Sequence, residues 1–216
     1  MTIPVIHLHQ GDLPKDITFN DDIAVDCEMT GLGLLRDRLC LVQLRGEGGD
    51  VHLVKIAKNQ KDAPHLKAAL ETSAIKILQY ARIDMAFLRK DLDIAMQPVY
   101  CTKIASKLVR TYTEKHGLKN LLKEYLGVDA NKEEQTTDWA ADVLTEGQLA
   151  YAASDVLYLH DLKAKLVAHL AREGRTGLAQ GCFDFLPTRA LLDVQGFEHE
   201  DMFAHGVTPL TSFKSF

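Results

Sequence analysis

Asp26 and Glu28 stand two residues apart in Ile23-Ala-Val-Asp-Cys-Glu28, a segment otherwise apolar enough to be a buried strand. Side chains alternate faces along a strand, so both carboxylates point one way while Val25 and Cys27 point the other. Neighbouring carboxylates repel, and a cation between them relieves the repulsion; a divalent metal, which takes oxygen ligands, is the natural candidate. The polar face of an ordinary edge strand would carry the same two residues, so the reading depends on whether more acids converge there. The strand runs into Met29-Thr-Gly31-Leu-Gly33, where two glycines permit a tight bend and a close approach of backbone to a ligand.

Two further acids answer that question. Asp84 follows an apolar segment in Gln79-Tyr-Ala-Arg-Ile-Asp84, at the expected start of a helix, where the helix dipole alone would favour an acid. Asp155 has no such explanation. It lies inside a helical pattern in Tyr151-Ala-Ala-Ser-Asp155, four residues after Tyr151 and therefore on the same face. The small residues between them let that helix approach a sheet closely.

The elements that must position these residues are legible from periodicity. Strands over 23–28, 39–45 and 51–56, linked by turns containing Gly31, Gly33, Gly46, Gly48 and Gly49, predict an antiparallel meander. A helix over 63–70, a strand over 75–80, a helix over 83–90 and a fifth strand over 96–101 follow. The spacing in 102–110 predicts an amphipathic helix with Ile104, Ala105, Leu108 and Val109 on one face and a basic stripe of Lys103, Lys107 and Arg110 on the other. Helix 118–126 ends at Gly127, a polar loop spans 129–137, and a long helix runs from Thr145 to about Leu170, opened by a Thr145/Gln148 capping box. The order predicts an α/β fold with a mixed five-stranded sheet flanked by helices, one domain over 1–216 with the segment from about 171 packed on it.

The 216 residues can bury one good core, and 46% hydrophobic with 25% charged residues excludes disordered and fibrous classes. No stretch reaches membrane-spanning length and the start lacks a basic segment followed by an apolar run, so a cytoplasmic protein with no membrane partner is expected. Cysteines 27, 40, 101 and 182 are widely spaced and read as buried thiols, neither a zinc pattern nor a disulfide framework. A net charge of −5 argues against broad electrostatic binding of long nucleic acid. It does not exclude a short one held locally, because four acids committed to metal would leave the remainder close to neutral. Six of the eight phenylalanines, at 183, 185, 197, 203, 213 and 216, fall after residue 182, a concentration that suits a subunit interface as well as packing on the domain.

Asp26, Glu28, Asp84, Tyr151 and Asp155, in that order and with those spacings, resemble the motifs of the DEDD superfamily of 3′-to-5′ exonucleases in its tyrosine-bearing branch, over roughly residues 20 to 170. The histidine-bearing branch places a histidine five residues before the last aspartate; that position is Ala150. Gln135-Thr-Thr-Asp-Trp139 and Leu144-Thr-Glu-Gly-Gln-Leu-Ala-Tyr151 resemble the ribonuclease D group. Tyr80-Ala-Arg-Ile-Asp84 and the 100–110 segment resemble its compact nano-RNase C type, which degrades very short RNA, especially dinucleotides.

The resemblance implies a ribonuclease H-like (DnaQ-like) fold and hydrolysis of phosphodiesters with two divalent ions, Mg²⁺ or Mn²⁺. It implies Asp26 as a bridging ligand, Glu28 and Asp155 on one ion, and Asp84 supporting the other. A phenol with a pKa of about 10 is a poor free base at neutral pH, so Tyr151 is expected to orient the attacking water. Leu32 resembles a leucine that wedges between two bases, with Met29 and Thr30 beside it as expected substrate contacts; the alternative for Leu32 is a buried turn residue. Lys103, Lys107 and Arg110 are candidates for a 5′ phosphate, or else a solvated helix face. A short RNA partner and a ring-like homo-octamer are also implied. Ribonuclease D-like processing of RNA 3′ ends, DNA exonuclease activity and an inactive RNA-binding scaffold are the competing readings.

Overall fold

The computed structural model describes residues 4–129 and 137–205. Among these residues six strands form one sheet: β1 (Ile6–Gln10), β2 (Ile23–Met29), β3 (Leu39–Gly46), β4 (Val51–Lys55), β5 (Lys76–Leu78) and β6 (Val99–Cys101), in the spatial order β1-β4-β3-β2-β5-β6. The β2-β3-β4 meander is antiparallel, whereas β1 joins β4, β5 joins β2 and β6 joins β5 in parallel. This is the mixed sheet that short glycine turns followed by helical crossovers require.

The sheet therefore has six strands where periodicity predicts five. The additional one is β1, whose Ile-His-Leu-His-Gln alternation leaves no fully buried face, so it carries no core signal. His7 and His9 instead stack on His52 of β4, with ring centroids 5.2 and 5.3 Å away, and parallel pairing with the meander holds the strand. Apart from Asp26 and Glu28 on β2 and Gln43 and Arg45 on β3, the two central strands are apolar; Ile23, Leu41, Leu44, Val51 and Leu53 are completely buried because helices cover both sheet faces.

Among the described residues, seven helices follow or interrupt the strands: α1 (Pro64–Leu70), α2 (Ala81–Leu92), α3 (Thr102–Val109), α4 (Leu118–Leu126), α5 (Glu146–Leu157), α6 (Leu159–Arg172) and α7 (Thr176–Val194). The expected single helix from Thr145 to Leu170 is two, broken at Tyr158, whose ψ of 3° leaves the helical region. The apolar spacing continues across the break, so hydrophobic pattern alone could not reveal it. The α5 helix lies on β2, β3 and β4, while α7 packs along α2 and α3. Lys76 is fully buried at the start of β5 and donates to the carbonyls of Thr72, Ala74 and Gln97 at 2.6–2.7 Å; burial lowers it to about 8. Cys27, Cys40 and Cys101 are buried, but Cys182 is exposed on α7, contrary to the reading of four buried thiols. No helix among the described residues is long and apolar enough to cross a membrane.

Candidate active site

The β2 strand delivers Asp26 and Glu28 to the face that α5 covers, and alternation does the rest. Asp155 reaches the same point from α5, and one carboxylate oxygen from each of Asp26, Glu28 and Asp155 lies within 4.8 Å of the others. Asp84 enters from the first turn of α2 and is buried, at 3% exposure. Ala152 and Ala153, both buried, let α5 sit close to the strands. Asp26, Glu28, Asp84, Tyr151 and Asp155 all line one cleft of about 730 Å³, together with Met29, Thr30, Gly31 and Leu32.

The electrostatics are those of crowded, partly buried acids. Glu28 is pushed up to about 9 by burial and by Asp155 and Asp84. Asp26 lies well above the carboxylate range because of burial, then Asp84, Asp155 and Glu28, and Asp84 because of burial and Asp155. Burial, the nearby carboxylates and a hydrogen bond to Asp155 likewise raise the Tyr151 phenol above its ordinary value. Hard oxygen donors at this spacing, half-buried and mutually repelling, suit a divalent cation.

Tyr151 is fixed from two directions. Thr145 accepts from the Gln148 backbone N–H at 3.1 Å, and Gln148 Oε1 accepts from the Thr145 N–H at 2.9 Å, which closes the expected capping box and sets the start of α5. Gln148 Nε2 also donates to Thr137 Oγ1 and to the Asp138 carbonyl, tying the preceding loop to the helix. That loop brings Trp139 beside Tyr151, ring centroids 6.1 Å apart.

The loop after β2 is built around Asp37, which accepts from the Gly33 backbone N–H at 2.9 Å, from Thr30 Oγ1 and from Arg36. The Arg36 guanidinium and the Gly33 N–H hold this carboxyl below its usual range. A β-carbon at Gly31 would stand 2.5 Å from Asp37 Oδ2, so glycine there reflects close approach. The loop turns Leu32 outward at 67% exposure on the cleft rim, which removes the alternative of a buried turn leucine.

The basic stripe expected on α3 divides. Lys103 lines the cleft, its ammonium 3.7 Å over the Tyr80 ring, and it is lowered by burial and by Lys107. Lys107 faces an adjoining cavity of about 310 Å³, whose wall also holds Lys103, Arg82 and Arg189. Arg110 faces neither cavity. It is buried at 3% exposure in an ion pair with Glu124 at 2.5 Å and also donates to Ser106 Oγ, because α3 ends at Val109 and Arg110 turns towards α4. Of the three, Lys103 and Lys107 reach these cavities and Arg110 does not. Sequence reasoning missed Gln79 and Lys119, which also line the cleft. Gln79 donates to the His116 carbonyl and accepts from Thr102, a junction of three chain segments that periodicity cannot show. Lys119 had a readable signal, a lysine in the first turn of a helix entered through Gly117.

A family model for 3′-5′ exonucleases matches residues 12–171, and the chain belongs to that family. Within it, the chain is of the ribonuclease D and NrnC type. Ribonuclease D of Gluconacetobacter diazotrophicus is 29% identical over 153 residues, 71% of this chain and 39% of that protein, and the chain spans less than half the length of the curated relatives it matches first. Brucella melitensis NrnC with bound Mg²⁺ is 47% identical, with a TM-score of 0.89 over 94% of this chain and 100% of that one. The same protein bound to pGG is 48% identical over the same shares, with a TM-score of 0.90.

Proposed function

We propose that the chain is a divalent-metal-dependent 3′-5′ exoribonuclease of the cytoplasm that degrades very short oligoribonucleotides, 5′-phosphorylated dinucleotides above all, to mononucleotides. The observation that carries this reading is the convergence of Asp26, Glu28 and Asp155 within 4.8 Å, in one cleft with buried Asp84 and with Tyr151. Asp26, Glu28 and Asp155 would hold one ion, and Asp26 with Asp84 a second. Such a pair of Mg²⁺ or Mn²⁺ ions, when bound, supplies Lewis acidity that lowers the pKa of the attacking water and stabilises charge on the phosphoryl oxygens.

The chain's own residues do the positioning. The Tyr151 hydroxyl, kept protonated by burial and by the carboxylates around it, orients the attacking water as a hydrogen-bond partner and does not serve as its base. Leu32 on the rim inserts between the two bases, and Met29 and Thr30 line the wall beside the scissile nucleotide. Lys103, and Lys107 from the adjoining cavity, receive the 5′ phosphate. Small-ligand sites measure roughly 300–1,000 Å³; a cleft of about 730 Å³ suits two nucleotides better than a long strand. The relative solved with pGG, which the chain matches over 94% of its length, supports a short substrate.

A homo-oligomer, as a ring-like octamer, belongs to the same proposal. Its support is the aromatic surface after α7, where Phe197 and Phe203 are exposed and Phe203 packs on Phe185 at 5.5 Å; Phe213 and Phe216 lie outside the described residues.

Digestion of 5′-phosphorylated RNAs of two residues and upward, with matched DNA, in Mg²⁺ and in Mn²⁺, tests the proposal. The dinucleotide is expected to be consumed fastest, and more slowly without its 5′ phosphate. Preference for long structured RNA or for DNA would overturn the substrate assignment, and no hydrolysis in either metal would favour the scaffold reading.

A further inference from the structure

Gln43 is completely buried, and among the described residues neither its Oε1 nor its Nε2 has a hydrogen-bond partner. A buried primary amide without a partner is costly, and native structures keep few of them without a reason. Its location supplies one. Gln43 sits on β3 directly opposite Asp26 of β2 and is flanked on its other side by Leu53 of β4. Directly paired residues of an antiparallel ladder share a face, with β-carbons roughly 5 Å apart, so the amide stands beside the carboxylate cluster, on the sheet face that α5 covers. The cations on that face are engaged elsewhere: Arg45 donates to the Gly49 and Leu157 carbonyls, and Lys55 to those of Ala141 and Asp142.

We infer that Gln43 is a positioning residue for the metal centre, its carboxamide N–H donating to Asp26 when Asp26 holds a cation. The inference rests on the metal-dependent reading of this site. Asp26 is the central ligand of that reading, and a carboxylate that shares two ions must be fixed in rotation; an amide one strand away, rigidly held and reserved from other bonds, does that. Partners of this kind orient metal ligands, and their loss typically weakens metal binding by roughly 10–100-fold.

The test is calorimetric titration of Mg²⁺ into metal-free wild-type protein and Gln43→Met, a change that keeps length and removes the amide, with thermal melts of both in EDTA and in excess Mg²⁺. In EDTA the variant is expected to melt at or above the wild-type temperature, because the amide has no partner to lose. Its Mg²⁺ affinity should fall roughly 10–100-fold, its Mg²⁺-induced rise in Tm should shrink, and the Mg²⁺ concentration for half-maximal hydrolysis should increase. Gln43→Leu should reproduce this without placing sulfur near the site. Unchanged Mg²⁺ affinity would overturn the inference. So would failure to fold in EDTA, or an equal loss of Tm in both conditions, since either means that the amide is bonded without metal. A wild-type protein that binds no Mg²⁺ would instead remove the metal reading on which the inference depends.

Discussion

A phenol beside three carboxylates loses its proton less readily than a free phenol, and Tyr151 is held that way by Asp155, Glu28 and Asp26 after burial itself. Its hydroxyl can orient a water but contributes little to binding a cation. Tyr151→Phe is therefore expected to lower kcat by at least about 100-fold, the scale of one general acid–base contact, while Mg²⁺ affinity by calorimetry stays within about twofold of wild type. The carboxylates make a second prediction. Glu28 rises from 4.5 to about 9, with Asp26 and Asp84 raised in the same direction. An acid whose folded pKa is raised favours the folded state fully below its unfolded pKa and loses that contribution as pH climbs through the folded value. Metal-free protein should thus lose Tm steadily from pH 6 to pH 9, and saturating Mg²⁺ should flatten the slope. Mg²⁺ binding should also release protons and tighten over the same range, measurable by titration in buffers of different ionisation enthalpy.

Elements carry the site, and two of them have identifiable braces. The loop after β2 depends on Gly31, whose added β-carbon would meet the Asp37 carboxylate, itself held by the Gly33 N–H and Arg36. Gly31→Ala should displace the rim that bears Leu32 and reduce kcat/KM by about tenfold or more, a cost of about 1.4 kcal/mol in transition-state stabilisation, with the melting curve nearly unchanged. The α2 helix, which bears Asp84, is braced by α7: buried Asp193 accepts from Arg82 at 2.6 and 2.8 Å and from Arg189 at 3.0 Å. Arg82 keeps 34% of its side chain in water, so Asp193→Ala should cost about 2 kcal/mol by urea unfolding, less than the roughly 3–5 kcal/mol of a fully buried pair. The capping box and most helix and strand positions were readable because each is encoded within a few residues. Tyr158 and β1 were not. A break within continuous apolar spacing leaves no periodic trace, and the short Ile-His-Leu-His alternation of β1 keeps its apolar side chains exposed, so no core demands it.

At the scale of the whole molecule, the family match ends at residue 171, yet α7 continues to Val194 and packs along α2 and α3. The helix does more than extend the chain: its outer side and the segment after it hold the exposed Leu178, Leu191, Phe197 and Phe203. Light scattering is expected to give a mass several times 24.1 kDa, with Phe203→Glu shifting the distribution towards smaller species; a monomeric wild-type mass would refute self-association. A short substrate offers few phosphates to neutralise, so its binding is expected to depend more weakly on salt than long-strand binding would.

By itself the sequence paired Asp26 with Glu28 and Tyr151 with Asp155, because strand and helix periods act over two to four residues, and the resemblance to the tyrosine-bearing exonucleases joined those pairs to Asp84. It also determined the branch of the family, through Ala150. Only the tertiary structure decided what those periods cannot reach. Arg110 is withdrawn into a pair with Glu124, since a helix end sets its direction and a distant chain segment supplies its partner. Leu32 is turned outward by a loop wound on Asp37, and Gln43 is set opposite Asp26 by strand register. Each of these depends on how separate segments meet, and no local pattern of residues records it.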